Sequence, residues 1–310
     1  MAVAESAASG IGALDPRRLG DLKSLVDARL EALFHEERDP PRLICAIRHG
    51  LLSPGKRLRP IIALLSCEQW GSEPELALDV ACAVEMVHAA SLIMDDLPAM
   101  DDARLRRGCV TTHVVFGEGT GMLATITLMN EAFRVISDMK HVPAERRLRC
   151  VAYLAKAIGP DGLAGGQEKD ITCDGKNAGK TLAEMELRHR QKTGALFAAA
   201  AAMGAETACA DADFVEAMRD YGDALGLGYQ AFDDVIDCAA PSEVTGKDEG
   251  QDEGKSTVVS LLGRDGASNA ASVWLGRAAA IADAAGGRGP RSLSGLARFV
   301  NANFSAITAS

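Results

Sequence analysis

Two clusters of aspartates carry the chemistry most visible in this chain. DDLPAMDD supplies Asp95, Asp96, Asp101 and Asp102, and QAFDDVIDC supplies Asp233, Asp234 and Asp237. In the second cluster, spacings of three and four put Asp233 and Asp237 on one helical face with Asp234 near it, among apolar Phe232, Val235 and Ile236. Two carboxylates about 4 Å apart repel by roughly 4 kcal/mol at an effective dielectric near 20. Such pairs must share protons, stay solvated or bind cations. A solvated helix end accounts for one cluster, whereas two of them favour cations. All-oxygen donors suit Mg²⁺, held by one or two carboxylates together with a phosphate-bearing substrate.

Basic groups flank the acidic ones. GKRLRP contributes Lys56, Arg57 and Arg59, and RLRRG, just after the first aspartate cluster, contributes Arg104, Arg106 and Arg107. Arginine grips phosphate oxygens with a planar fork and lysine offers a mobile point charge. Beside a metal-type acidic patch, that combination handles a diphosphate. His88 lies seven residues before Asp95, two turns down the same helix, so both can face one cavity. Gln167 and Asp170 in GQEKD, and Lys192 and Thr193 in KTG, are polar groups within otherwise helical stretches. Neither aspartate cluster nor DEGQDEG fits a calcium loop. GQDEGKS lacks one residue for a nucleotide-phosphate loop, and no strand precedes it.

The elements that must position these groups read as helices. Glu75–Asp95 has apolar residues at intervals of three and four with no alternation, the pattern of a mostly buried helix, and Pro98 follows it. Similar texture marks Leu19–Phe34, Pro41–Leu51, Leu58–Gln69, Ala124–Met139, Glu145–Ile158, Leu182–Met203, Asp213–Cys238, Ser256–Leu262, Ala267–Ala285 and Leu293–Ile307. No stretch reads as a strand, and no turn-rich stretch is long enough to separate domains. The expectation is one all-α domain over residues 21–310 behind a flexible lead-in, residues 1–20.

Composition bounds the function. The 310 residues are 47% hydrophobic and 4% aromatic, with a formal net charge of -10. Abundant alanine suits tightly packed helices, and the acidic balance disfavours nucleic acid as a partner. The eight cysteines are scattered with no C-x-x-C, which points to reduced thiols in a cytoplasmic enzyme rather than zinc or disulfides. No uninterrupted apolar run reaches the roughly 18 residues of a membrane span.

In order along Ser53–Gly263, the segments GKRLRP, HAASLIMDDLPAMDDARLRRG, GQEKD, KTGALF, YQAFDDVID and TGKDEGQDEGKST resemble the trans-isoprenyl diphosphate synthases. The six-residue step from Asp95 to Asp101 is most similar to bacterial geranylgeranyl diphosphate synthases of carotenoid and diterpenoid pathways. The resemblance implies the isoprenoid synthase fold, a helical bundle around a deep central cavity, usually a homodimer, with the aspartate motifs facing each other across the mouth. It implies that Asp95, Asp101 and Asp233, with Asp96, Asp234 and Asp237 nearby, hold Mg²⁺ on an allylic diphosphate (dimethylallyl, geranyl or farnesyl). Arg106, Lys192, Thr193, Gln230, Lys247 and Lys255 would contact that diphosphate or its metals, and Lys56, Arg59, His88 and Arg107 would hold isopentenyl diphosphate.

The resemblance also bears on product length. Members that stop at fifteen carbons often carry an aromatic residue four or five places before the first aspartate, where this chain has Ser91 and Ala90. Elongation to geranylgeranyl diphosphate is expected, with Met86, Val87 or Met122 as candidate stops and farnesyl diphosphate as the alternative product. GTGMLATITLMNEAF departs from the more acidic run of many members, as do Tyr229 and Ala231–Phe232 beside the second motif. A terpene cyclase would replace the second DDxxD, and head-to-head synthases use D-x-x-x-D patterns. A non-catalytic subunit of a heteromeric synthase usually lacks one aspartate motif, and both are present here.

Overall fold

A computed structural model describes residues 15–172, 181–239 and 257–308. Its helices are α1 (Pro16–Leu33), α2 (Pro41–Leu51), α3 (Leu58–Trp70), α4 (Leu78–Asp95), α5 (Thr112–Phe116), α6 (Glu118–Ser137) and α7 (Ala144–Ile158). After these come α8 (Leu163–Thr172), α9 (Leu182–His189), α10 (Ala195–Thr207), α11 (Ala212–Ala239), α12 (Val258–Ala284) and α13 (Ser292–Thr308). The all-α expectation holds.

α4 lies at the centre, packed against α3, α6 and α10, and is buried on nearly every side. It is long and apolar enough to cross a membrane by length and composition, but 72% of its apolar window is buried in the bundle, which accounts for its all-round hydrophobicity. α10 packs between α3 and α11 through its run of alanines. A Cβ at Gly204 would lie 2.1 Å from the Ala63 carbonyl oxygen, so only glycine permits this helix approach. Ser66 Oγ then donates to the Ala201 carbonyl at 2.7 Å, closing a polar group inside the core.

Several boundaries differ from those read in the sequence. α1 takes in residues 16–20, because Asp15 caps it through the Arg17 N–H. α6 starts at Glu118, six residues early. The stretch read as one helix over Leu182–Met203 is interrupted by a π-helical turn, Arg190–Gly194, which holds Lys192 and Thr193. Such turns widen the helix and often mark functional sites. Gly263, at φ 70 and ψ 170, divides α12 as the two separate sequence patterns indicate.

Among the described residues the structure adds α5 and α8, which the sequence reading did not delimit as helices, and a two-stranded hairpin, β1 (Leu105–Arg106) with β2 (Cys109–Val110). Arg107 and Gly108 form its turn with φ of 54° and 76°, the left-handed pair that matches strand twist. Two-residue strands are too short for periodicity to reveal.

Candidate active site

His88 is the centre of the basic cluster. Its Nε2 lies 3.3 Å from a guanidinium nitrogen of Arg59 and 3.3 Å from one of Arg107. Guanidinium groups only donate, so Nε2 is the acceptor in both contacts and the ring is neutral, with its proton assigned to Nδ1. Burial, followed by the charges of Arg59 and Arg107, holds this imidazole well below its ordinary pKa. A neutral histidine thereby orients two cations that repel each other.

Each cation has its own support. Arg59, in the first turn of α3, has its guanidinium carbon 4.4 Å from the centre of the Phe197 ring. Its Nε is buried without a hydrogen-bond partner, an open donor in a positive site. Arg107 donates to the Pro54 carbonyl at 3.3 Å, and a Cβ at Gly55 would lie 2.7 Å from its NH1, so the glycine makes room for it. Lys56 is exposed, with Nζ 5.8 Å from the ring centre of Tyr229 and 5.5 Å from that of Phe304.

The first acidic pair sits where α4 ends. The Asp101 N–H donates to the Asp95 carbonyl at 2.9 Å and the Ala103 N–H to the Asp96 carbonyl at 3.2 Å, with Asp102 left-handed at φ 47. The chain thus folds back, and Asp101 acts on Asp95 through its charge. Burial, then the Asp101 and Asp96 charges, pushes Asp95 up to about 6 against the pull of Lys192 and Arg106. Asp96 is 4% exposed and accepts from Arg106 Nε at 2.5 Å.

The second pair lies within α11. Asp233 is half-buried, and its charge reaches Arg59. Asp234 is 8% exposed, with Oδ1 accepting from Gln230 Nε2 at 3.0 Å and Oδ2 from the Val258 N–H at 3.0 Å; His189 Nε2 lies 3.7 Å away. Thr193 Oγ1 donates to Gln230 Oε1 at 2.7 Å. Lys192 pairs with Asp170, which Arg188 also reaches at 3.3 Å.

The structure places the residues expected at the site as follows. Arg59, His88 and Arg107 come together as a group, while Lys56 lies over the Tyr229 and Phe304 rings. Asp96 and Asp234, expected among the metal-holding residues, have oxygens that accept from Arg106 and from Gln230 and the Val258 N–H. Thr193 and Gln230, expected at a diphosphate, bond to each other. Lys247 and Lys255 lie outside the described residues, as does the side chain of Asp237, although its backbone belongs to α11. Met122, a candidate wall residue, is 50% exposed, while Met86 and Val87 are fully buried. Sequence reasoning missed Glu85, Asp27, Arg188 and His189. Glu85 had a signal, a carboxylate inside an apolar helix three residues before His88.

Asp95, Asp101 and Asp233 offer carboxylate oxygen, the donor chemistry that Mg²⁺ takes. Burial and like charge raise Asp95 to about 6, which a bound cation would offset. Among the described residues no three acidic, histidine or cysteine side chains form a ready cage. One or two carboxylates with phosphate oxygens are the usual Mg²⁺ arrangement.

The family model described as polyprenyl synthetase matches residues 40–279. The chain is 38% identical over 253 residues to the farnesyl diphosphate synthase of Geobacillus stearothermophilus, covering 80% of this chain and 84% of that protein. It is 41% identical over 240 residues to the geranylgeranyl diphosphate synthase of Pantoea ananas, covering 77% and 78%. Among solved structures, the geranylgeranyl pyrophosphate synthetase of Pyrococcus horikoshii Ot3 superposes with a TM-score of 0.81 at 27% identity, covering 92% of this chain and 97% of that one. The geranyltransferase of Helicobacter pylori, complexed with magnesium and isoprenyl diphosphate, gives 0.79 at 27% identity, covering 94% and 99%.

Proposed function

We infer that this chain, which belongs to the polyprenyl synthetase family and is a head-to-tail prenyltransferase, extends allylic diphosphates with isopentenyl diphosphate as far as geranylgeranyl diphosphate. The observation that carries this reading is the cluster of Arg59, Arg107 and neutral His88 close to a separate carboxylate site. One diphosphate can be held by cations alone and the other through metal.

Lys56, Arg59 and Arg107 bind and orient isopentenyl diphosphate. Asp95, Asp101 and Asp233 would hold Mg²⁺, which when bound neutralises the departing allylic diphosphate; the magnesium complex of the Helicobacter pylori geranyltransferase supports this choice. Arg106 and Lys192 place positive charge beside Asp95, where the leaving group gathers negative charge. The allylic C–O bond breaks, the terminal alkene carbon of isopentenyl diphosphate bonds to the carbocation-like centre, and a proton leaves for the released diphosphate. No protein nucleophile takes part.

The twenty-carbon product rests on Ala90 and Ser91, both buried and small, which put no bulky side chain at the two places before Asp95. Kinship with a farnesyl diphosphate synthase favours the fifteen-carbon reading, and incubation of the purified chain with Mg²⁺, farnesyl diphosphate and isopentenyl diphosphate decides. Chromatography should show twenty-carbon diphosphate; accumulation of farnesyl diphosphate from shorter primers would overturn it. An absence of turnover by the chain alone would favour a non-catalytic subunit. The enzyme is further read as a cytoplasmic homodimer, supported by exposed Val115 on α5 and Met122, Leu123 and Ile126 on α6, an apolar face that a second copy would cover. Leu123→Glu with Ile126→Glu should then yield a monomer on size-exclusion chromatography.

A further inference from the structure

Arg57 stands between two residues of the proposed isopentenyl diphosphate cradle, yet its own side chain is 3% exposed. Its Nε donates to Asp27 Oδ1 on α1 at 2.7 Å, its NH1 to Glu85 Oε1 on α4 at 2.7 Å, and its NH2 to the Ser53 carbonyl at 3.3 Å. One guanidinium therefore ties the 53–57 loop to two helices. Burial works against its charge, and the Glu85 and Asp27 carboxylates outweigh it.

The backbone at Arg57 is left-handed, φ 49 and ψ 35, a conformation that glycine would adopt more readily. Strain of this kind persists only where the surroundings over-determine it. Here they do so through three contacts, with Lys56 on one side and Arg59, in the first turn of α3, on the other. Glu85 lies one turn before His88, and its charge also favours the charged forms of Arg59 and Arg107.

We propose that Arg57 is a positioning residue whose fork to Asp27 and Glu85 fixes the backbone that aims Lys56 and Arg59 at isopentenyl diphosphate, while Glu85 serves as the buried counter-charge of the Arg59–His88–Arg107 cluster. The inference rests on the substrate reading above.

Steady-state kinetics with Mg²⁺, geranyl diphosphate and isopentenyl diphosphate test it. A wild-type chain without turnover would defeat the substrate reading itself. Given an active wild type, Arg57→Gly keeps the left-handed turn and loses the fork, and Arg57→Lys keeps the charge and loses the planar geometry. Both should raise KM for isopentenyl diphosphate about tenfold, the scale of one charge-assisted contact, with kcat and the allylic KM within about threefold. An Arg57→Gly enzyme with wild-type KM values would show that only the turn matters, and equal rises in both KM values would show general loosening. Either overturns the proposal. Asp27→Asn, at a partner 31% exposed, covers the case in which the Arg57 variants do not fold. It should raise the isopentenyl KM a few-fold, and an unchanged value would overturn the proposal.

Discussion

The two aspartate pairs reach the same arrangement by different local routes. Asp95–Asp96 ends a helix, and a tight loop returns Asp101 beside Asp95. Asp233–Asp234 lies inside α11, where helical spacing alone sets the neighbours. In both pairs the second aspartate is nearly buried and bound to protein, and the first is more open. We read each DD pair as a division of labour: one carboxylate is held by protein groups, Asp96 by the Arg106 side chain and Asp234 by Gln230 and the Val258 N–H, and the other is proposed to serve a cation.

The approaches to the pairs differ as well. Four residues before Asp233 stands Tyr229, whose ring centre lies 5.7 Å from those of Phe197 and Phe304; Phe232 stacks on Phe304 at 4.6 Å. Four and five residues before Asp95 stand Ser91 and Ala90. At these places the α11 side carries packed aromatic rings and the α4 side carries small buried side chains, which is why the proposed chain-length control is placed on α4.

The sharpest way to break the division of labour is to remove one aspartate at a time. Asp95→Ala and Asp233→Ala should each lower kcat by on the order of 10²–10⁴, the scale of several kcal/mol of lost charge stabilisation. Helix content by circular dichroism should stay unchanged. Near wild-type turnover of either variant at limiting Mg²⁺ would reject its metal role. Asp96→Ala and Asp234→Ala should act mainly on stability, each losing about 1–3 kcal/mol in urea titration because buried donors are left unpaired. The comparison fails if these two variants raise the Mg²⁺ requirement as much as the first two.

What the sequence made legible follows from range. Spacings of three and four marked the helices and grouped the aspartates, and an all-apolar pattern marked α4 as central. Which member of each pair is anchored was not legible, because the anchors are remote: the Val258 N–H is 24 residues from Asp234. Arg106 reaches Asp96 from a hairpin too short to leave a pattern. Nor could the GKRLRP segment show that Arg57 turns to Asp27 and Glu85, since both partners lie on other helices.

The contrast between the two walls has its own test, of intermediate size. Ala90→Phe or Ser91→Tyr should overpack the α4 side and move the main product to fifteen carbons, costing about 1–3 kcal/mol of stability. Continued formation of twenty-carbon product by both variants would place the limiting wall elsewhere.

The smallest expected effect concerns His88, and its sign follows from linkage. In the folded chain burial and two arginines hold the imidazole well below its ordinary value, so it stays neutral, while in the unfolded chain it titrates near 6.5. Between the unfolded and folded values the unfolded state carries the extra proton, and folding stability falls as pH decreases. The contribution is fully present above about pH 6.5 and is lost progressively below it, with a limiting slope of about 1.4 kcal/mol per pH unit for one proton. His88→Gln retains an acceptor for the two guanidiniums and cannot take up that proton. Urea denaturation at pH 7.5, 6.5 and 5.5 should therefore show a shallower loss of stability in the variant than in the wild type. Parallel pH curves would mean that His88 is charged in the fold, and that Arg59 and Arg107 are oriented by something else.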